Sequence, residues 1–191
     1  MNIVLASTSP FRKAVLEKLD LPFDTRSPQT DETRFEGESP QQLVERLAVA
    51  KAKAVAGTCG NALIIGSDQV AVIDGEILGK PGSHEKAVKQ LQQVSGKTVR
   101  FFTGLCLLSA ATGNYQREVV PFDVVFRKLT DAQIENYLQK EKPYNCAGSF
   151  KSEALGICLF EKLQGDDPNT LVGLPLIRLV RMLEQEGVAV I

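Results

Sequence analysis

The sequence predicts a mixed α/β fold, two lobes arranged around a long sheet, and three observations carry that expectation. Strand-length apolar runs alternate with capped, helix-periodic segments along the chain. An Asp74-Gly75 pair lies between two apolar stretches, which is a hairpin signal. Thr98 to Ser109 and Tyr115 to Arg127 flank Thr112-Gly113-Asn114 and read as one long strand pair.

Taken in order, Asn2 to Ala6 reads as a buried strand. Ser9 offers an N-cap oxygen and Pro10 suits the first helical position, while Phe11, Val15 and Leu19 recur at helical spacing, so a helix to about Leu19 is expected. Phe23 to Arg26 is a short strand, and Asp31-Glu32-Thr33 falls in a polar loop. Ser39-Pro40-Gln41-Gln42 has the pattern of a capping box. The helix that follows has Leu43, Leu47, Ala50 and Ala54 as its apolar stripe. Ala62 to Gly66 is a strand whose end delivers Ser67-Asp68-Gln69, with Val70 to Ile73 and Glu76 to Leu78 as the hairpin beyond it. Ser83 caps a helix carrying Ala87, Val88, Leu91 and Val94, which Gly96 ends. Thr130-Asp131-Ala132-Gln133 opens another helix, to about Lys140. After the loop Pro143 to Glu153, Ile157 to Leu163 reads as a strand, and Pro175 starts a last helix with Leu176, Leu179, Val180 and Leu183.

Composition narrows the chemistry. Lys plus Arg is 22 against 23 for Asp plus Glu, which disfavours a general nucleic-acid or membrane-surface role, because both draw on a basic excess. Four separated cysteines without a CxxC pair read as reduced, mostly buried thiols. The start, Met1 to Ala6, is too short for a signal-peptide core, and Gly104 to Ala111, the longest apolar run, reads as a buried strand, so a cytoplasmic protein is expected. The single histidine, His84, sits in the first turn of a helix and reads as solvent-facing. Histidine triads and multi-histidine zinc sites are therefore disfavoured, leaving carboxylates, lysines and a hard metal ion. Ser83-His84-Glu85-Lys86 fits an SxxK pattern, but it lies at an evident helix cap with no companion motif.

Five segments could carry chemistry. Ser7-Thr8-Ser9-Pro10-Phe11-Arg12-Lys13 is a strand-to-helix turn with hydroxyls and two basic side chains, suited to phosphate; a plain capped helix with solvent-facing cations fits the same residues. Asp31-Glu32 is an acidic loop, and loop carboxylates are usually solvated. Lys51 borders the apolar stripe, where it could snorkel or face phosphate. Asp68, after Leu63-Ile64-Ile65, needs a partner charge, a metal or turn amides to offset burial; Gly79-Lys80-Pro81 follows across the hairpin. Ala147 to Glu153 is a small-residue stretch that a ligand could approach, or an ordinary turn.

In order and spacing, these segments, together with Cys146-Ala147-Gly148 and Val172-Gly173-Leu174-Pro175, resemble the Maf family of nucleotide pyrophosphatases over nearly the whole chain. The resemblance implies one domain, 1–191, with a nucleotide cleft between two lobes, and hydrolysis between the α and β phosphates of a nucleoside triphosphate. It implies Asp68 as catalytic base, Glu32 and Asp68 as ligands of Mg²⁺ or Mn²⁺, and Ser7, Arg12, Lys13, Lys51 and Lys80 around the triphosphate. It further implies a homodimer. Gln69 after the aspartate and Ser149-Phe150-Lys151-Ser152-Glu153 look like the YceF-type branch, linked to 7-methyl-GTP, with Phe11, Gln69 and Glu153 as the selecting residues. Glu153 could balance the cationic ring and Phe11 could stack on it, an interaction of ~0.5–2 kcal/mol. Three positions depart from that branch: Phe11 replaces a common tryptophan, Lys13 a common arginine and Ala154 a common glycine. Phe11 at helical spacing with Val15 could also belong to the core. The alternatives are a pyrophosphatase for dTTP, UTP or other modified nucleotides, and a nucleotide-binding regulator of cell-division arrest.

Overall fold

A computed structural model describes residues 2–191. Its strands and helices are, in chain order, β1 (Asn2–Ala6), α1 (Pro10–Leu16), β2 (Phe23–Arg26), α2 (Pro40–Ala56), β3 (Ala62–Ile73), β4 (Glu76–Leu78), α3 (His84–Val94), β5 (Thr98–Ser109), β6 (Tyr115–Phe126), α4 (Asp131–Glu141), β7 (Phe160–Gln164), α5 (Asn169–Val172) and α6 (Leu176–Gln185). Seven strands form one mixed sheet in the order β2-β1-β3-β5-β6-β7, with β4 paired to β3. β1 lies parallel to both β2 and β3, whereas β3–β4 and β6–β7 are antiparallel. The chain divides into two compact units, one of residues 1–69, 102–120 and 167–191, the other of residues 70–101 and 121–166.

In the first unit the central strands β1, β3 and β5 bury both faces, and side-chain alternation sorts their residues by face. Ile3, Leu5, Leu63, Ile65, Leu105 and Leu107 pack with Val15 and Leu16 of α1 and with the apolar side of α6. Val4, Ala6, Ala62, Ile64, Cys106 and Leu108 pack with Ala48, Val49, Ala52 and Val55 of α2. The α2 stripe therefore departs from the expected one: Ala50 is half-buried and Ala54 is exposed, while Ala48 and Ala52 face the sheet. The cause is a close approach at two glycines. A Cβ on Gly66 would stand 2.1 Å from the Ala48 carbonyl oxygen, and one on Gly104 2.2 Å from that of Val44.

β3 is a single strand of 12 residues, so Asp68 lies in its interior and not at a strand end. The polar Ser67-Asp68-Gln69 run looks like a break in the sequence, but its side chains find partners inside the fold and the ladder continues. The helix expected to reach Leu19 is α-helical to Leu16 and tightens into a 3₁₀ turn from Glu17 to Leu19. The strand expected from Ile157 starts at Phe160, because Leu155–Leu159 forms a 3₁₀ turn. The short helix α5 had no sequence signal.

In the second unit, Asp74 (φ 50°) and Gly75 (φ 85°) turn the β3–β4 hairpin with the paired positive φ values of a type I′ loop. Ser83 caps α3, and Thr130 with Gln133 forms a reciprocal capping box on α4. Phe101, Phe126, Phe150 and Phe160 stack edge to face, with centroids 5.1–5.6 Å apart. His84 is half-buried rather than solvent-facing: its Nδ1 lies 3.0 Å from the Tyr144 hydroxyl and its Nε2 2.9 Å from a Glu135 carboxylate oxygen, so it ties α3 to α4. All four cysteines are free thiols. Cys106 is buried, and burial pushes its pKa up to about 12, whereas Cys158 is exposed, contrary to the expectation of mostly buried thiols. Among the described residues no helix is long and apolar enough to cross a membrane.

Candidate active site

The close seat of α2 on the sheet sets the centre of the site. Lys51, one of the buried residues of α2, is 7% exposed, and Asp68, on β3, is 8% exposed. Lys51 Nζ donates to Asp68 Oδ1 at 2.6 Å and also lies 2.7 Å from Glu32 Oε1, on the loop before α2. One ammonium thus gathers two carboxylates. Of the two accounts the sequence left open for Lys51, snorkelling to solvent is excluded by this burial and pairing.

Arg12 joins the same charge cluster. Its Nε donates to the Gly173 carbonyl at 2.9 Å, and burial lowers its guanidinium pKa, which the negative charges of Asp68 and Glu32 only partly offset. Asp68 shows the same balance with the sign reversed for an acid. Burial raises its carboxyl above the ordinary aspartate value, although Lys51 and then Arg12 favour the charged form. A carboxylate kept basic by desolvation beside fixed cations is suited to accepting a proton.

Around this centre a polar frame sets the neighbouring side chains. Ser67 Oγ lies 2.9 Å from the Gly104 carbonyl and 2.8 Å from that of Gly173. The Gln69 amide nitrogen donates to Thr103 Oγ1 at 2.8 Å and to the Thr170 carbonyl at 2.7 Å, and Thr103 Oγ1 donates to that same carbonyl at 3.1 Å. Gln69 is therefore fixed with its amide nitrogen turned into the protein. Gly173 adopts φ 104°, and a Cβ there would stand 3.1 Å from Arg12 Nε. The sequence showed Val172-Gly173-Leu174-Pro175 as a family stretch but not the carbonyl that carries Arg12 and Ser67. Thr103 and Thr170 left no signal, because their roles depend on partners distant in the chain.

The remaining expected residues fall as follows. Ser7 is buried, and its hydroxyl accepts a hydrogen bond from the Ser9 backbone N–H at 3.1 Å. Phe11 is 40% exposed, which removes it from the core. Lys13 is exposed and 3.8 Å from Glu17, and among the described residues no hydrogen bond or ion pair joins it to Lys51, Asp68 or Glu32. Lys80 and Glu153 belong to the second unit, where both are exposed and both act electrostatically on Cys146. Burial is the main cause of that thiol's raised pKa. Glu153 accepts a hydrogen bond from Ser152 Oγ at 3.2 Å.

For a metal, the chain offers Glu32 and Asp68. Among the described residues no group of three or more His, Cys, Asp and Glu side chains gathers. Two hard carboxylates fit Mg²⁺ or Mn²⁺, which complete their shell with water and substrate phosphate oxygens. The cluster holds two cations and two anions, so a bound divalent ion would tip it toward an anionic ligand.

Residues 2–186 match the family described as Maf-like protein. The chain is 60% identical over 190 residues to the 7-methyl-GTP pyrophosphatase of Colwellia psychrerythraea, covering all of this chain and 95% of that protein. It is 57% identical over 190 residues to the 7-methyl-GTP pyrophosphatase of Nitrosococcus oceani, covering all of this chain and 96% of that one. Among solved structures, the Staphylococcus aureus Ham1 protein shares the fold with a TM-score of 0.54 at 14% identity, covering 97% of this chain and all of that one.

Proposed function

The chain belongs to the Maf family, and from that premise we propose that it hydrolyses 7-methyl-GTP to 7-methyl-GMP and pyrophosphate. The observation that carries the chemistry is the buried Asp68, held by Lys51 and facing the Arg12 charge. The substrate is supported by the names of the two relatives at 57–60% identity.

In this reading the ionised Asp68 takes a proton from a water attacking the α phosphorus. Lys51 binds one Asp68 oxygen, Oδ1, so Oδ2 is the oxygen turned to the water. The P–O bond to the β phosphate breaks and pyrophosphate leaves. Arg12, anchored on the Gly173 carbonyl, and Lys51 stabilise charge on the phosphate oxygens, with Ser7, Lys13 and Lys80 as further phosphate ligands. Glu32 and Asp68 would hold Mg²⁺ or Mn²⁺, which supplies charge neutralisation for the triphosphate. Phe11, being exposed, is free to stack on the cationic base, and Glu153 balances its charge. With its amide nitrogen committed to Thr103 and Thr170, Gln69 offers a ligand chiefly its carbonyl oxygen.

The reading takes residues 1–191 as one functional domain, supported by the continuous family match. It also takes the protein as a cytoplasmic homodimer, as the family resemblance suggests, and as one without stable nucleic-acid or membrane binding, which the near-even charge of 22 basic and 23 acidic residues supports. A panel of nucleoside triphosphates, scored for monophosphate plus pyrophosphate with and without Mg²⁺ or Mn²⁺, tests it. The expected result is metal-dependent release strongest with 7-methyl-GTP. Preference for dTTP or UTP overturns the substrate, and nucleotide binding without pyrophosphate release overturns the enzyme.

A further inference from the structure

Glu32 stands on a stretch of chain with neither helix nor strand, between β2 and α2. Its side chain is 59% exposed, and its ion-pair partner is Lys51. Left to itself, such a residue would sample many conformations. Its position is fixed from the next residue on, where the segment Thr33 to Glu38 folds around the guanidinium of Arg46 from α2.

Arg46 Nη2 donates to the Thr33 carbonyl at 3.0 Å. Its Nε and Nη2 donate to the two carboxylate oxygens of Glu38 at 2.6 and 2.9 Å, and its plane lies over the Phe35 ring at 4.0 Å. Glu38 Oε2 also accepts the Phe35 backbone N–H at 3.1 Å, and the Glu38 carbonyl accepts Arg34 Nε at 2.8 Å. The Glu38 side chain is only 8% exposed and that of Arg46 27%, so this is a bidentate pair with its carboxylate largely covered rather than a loose surface contact. Three kinds of partner (a carbonyl, a carboxylate and an aromatic face) use the fork, charge and plane that distinguish arginine from lysine.

We infer that Arg46 is a positioning residue for Glu32: it grips the Thr33 carbonyl and the Glu38 carboxylate and so holds the adjacent carboxylate against Lys51 and Asp68. Its effect on catalysis rests on the reading of Glu32 as a metal ligand, but its effect on the loop does not. Arg46 acts through the backbone and touches neither substrate nor metal.

The test compares Arg46→Met, Arg46→Lys, Glu38→Gln and Glu32→Gln, with the Glu32→Gln/Arg46→Met double variant, each in the full chain. Three quantities are read: Mn²⁺ affinity by electron paramagnetic resonance, kcat and KM for 7-methyl-GTP, and amide hydrogen exchange of residues 31–35. Arg46→Met and Arg46→Lys are expected to weaken Mn²⁺ binding about 10- to 100-fold and to speed exchange at residues 31–35. Glu38→Gln, which keeps side-chain size, is expected to do the same to a smaller degree. In the double variant, adding Arg46→Met to Glu32→Gln is expected to change Mn²⁺ affinity less than twofold, because the two act on one contact. A full additional loss in the double variant overturns the inference, as does unchanged exchange at residues 31–35 in both Arg46→Met and Glu38→Gln. A wild type that releases no pyrophosphate overturns the proposed reaction and leaves the exchange measurement to decide the role of Arg46.

Discussion

Lys51–Asp68 in the first unit and Lys151–Glu141 in the second are lysine–carboxylate contacts of similar length, 2.6 and 2.9 Å, built by opposite means. Lys51 and Asp68 come from a helix and the interior of a strand, pressed together because Gly66 and Gly104 let α2 sit against the sheet. Lys151 comes from a loop whose backbone passes through positive φ at Gly148 (75°) and Ser149 (65°) to reach the end of α4. The Glu141 carboxylate also accepts the Leu155 N–H, at 3.2 Å. The electrostatic outcomes differ as well. Pairing with Glu141 raises the Lys151 pKa, so the contact favours the charged ammonium, as a structural ion pair does. At Asp68, burial outweighs pairing and the carboxyl is held above its ordinary value. A pair that closes a loop ends as the more stable charge state, whereas a pair in a rigid frame can hold a group away from it.

The largest effect expected from this contrast is at Asp68. Asp68→Asn should lower kcat for 7-methyl-GTP by about 10²–10⁴-fold while leaving the urea midpoint no lower than in the wild type. Because the folded-state pKa of Asp68 is raised, its contribution to stability is complete below the unfolded pKa and is lost as pH rises through the folded value. At neutral pH a neutral isostere removes that opposition. A marked drop in the midpoint would place Asp68 with the structural pairs and erase the contrast.

Glycine substitutions separate the two constructions. Gly66→Ala must fit a methyl 2.1 Å from a backbone oxygen, so a loss at or above the upper end of ~1–3 kcal/mol is expected. Gly148→Ala meets the Phe150 ring at 3.2 Å but chiefly pays a left-handed backbone, at ~1–2 kcal/mol. Equal losses in urea denaturation would refute the idea that one site is set by packing and the other by backbone.

A smaller effect is the acid limb of the pH–rate profile. If Asp68 must be ionised, kcat/KM falls about tenfold per pH unit below its pKa, and the break should lie above the ordinary aspartate range. A break at or below that range would mean that Lys51 and Arg12 win over burial. The smallest is Lys13→Ala. Its exposed contact with Glu17 at 3.8 Å should change stability by less than about 1 kcal/mol. Any rise in KM then belongs to the substrate.

What the sequence made legible was whatever depends on neighbours. The capping boxes at Ser39/Gln42 and Thr130/Gln133, and the Asp74-Gly75 turn, are complete within a few residues and were read correctly. The interior of β3 was misread because Ser67 finds its partners 37 and 106 residues away, at Gly104 and Gly173. The expected α2 face held at Leu43 and Leu47 but was misplaced beyond them by the same kind of distance: Gly66 in β3 draws Ala48 and Ala52 inward, where larger residues would ordinarily mark the buried side. In the site, Lys51 and Asp68 stood out as charges beside apolar runs. Arg46 did not, since an arginine on a helix reads as solvated until the loop that wraps it is seen.

The carbonyl of Gly173 receives both Arg12 and Ser67, and this has a consequence for how the protein is made. Translation delivers Arg12 early, yet its anchor follows 161 residues later. A chain growing from the ribosome can form β1, α1 and α2 long before that carbonyl emerges. Until then Arg12 has no fixed seat, so, on its proposed role as a phosphate ligand, a half-synthesised chain should not handle nucleotides. Activity would begin only as the last part of the fold closes over the first.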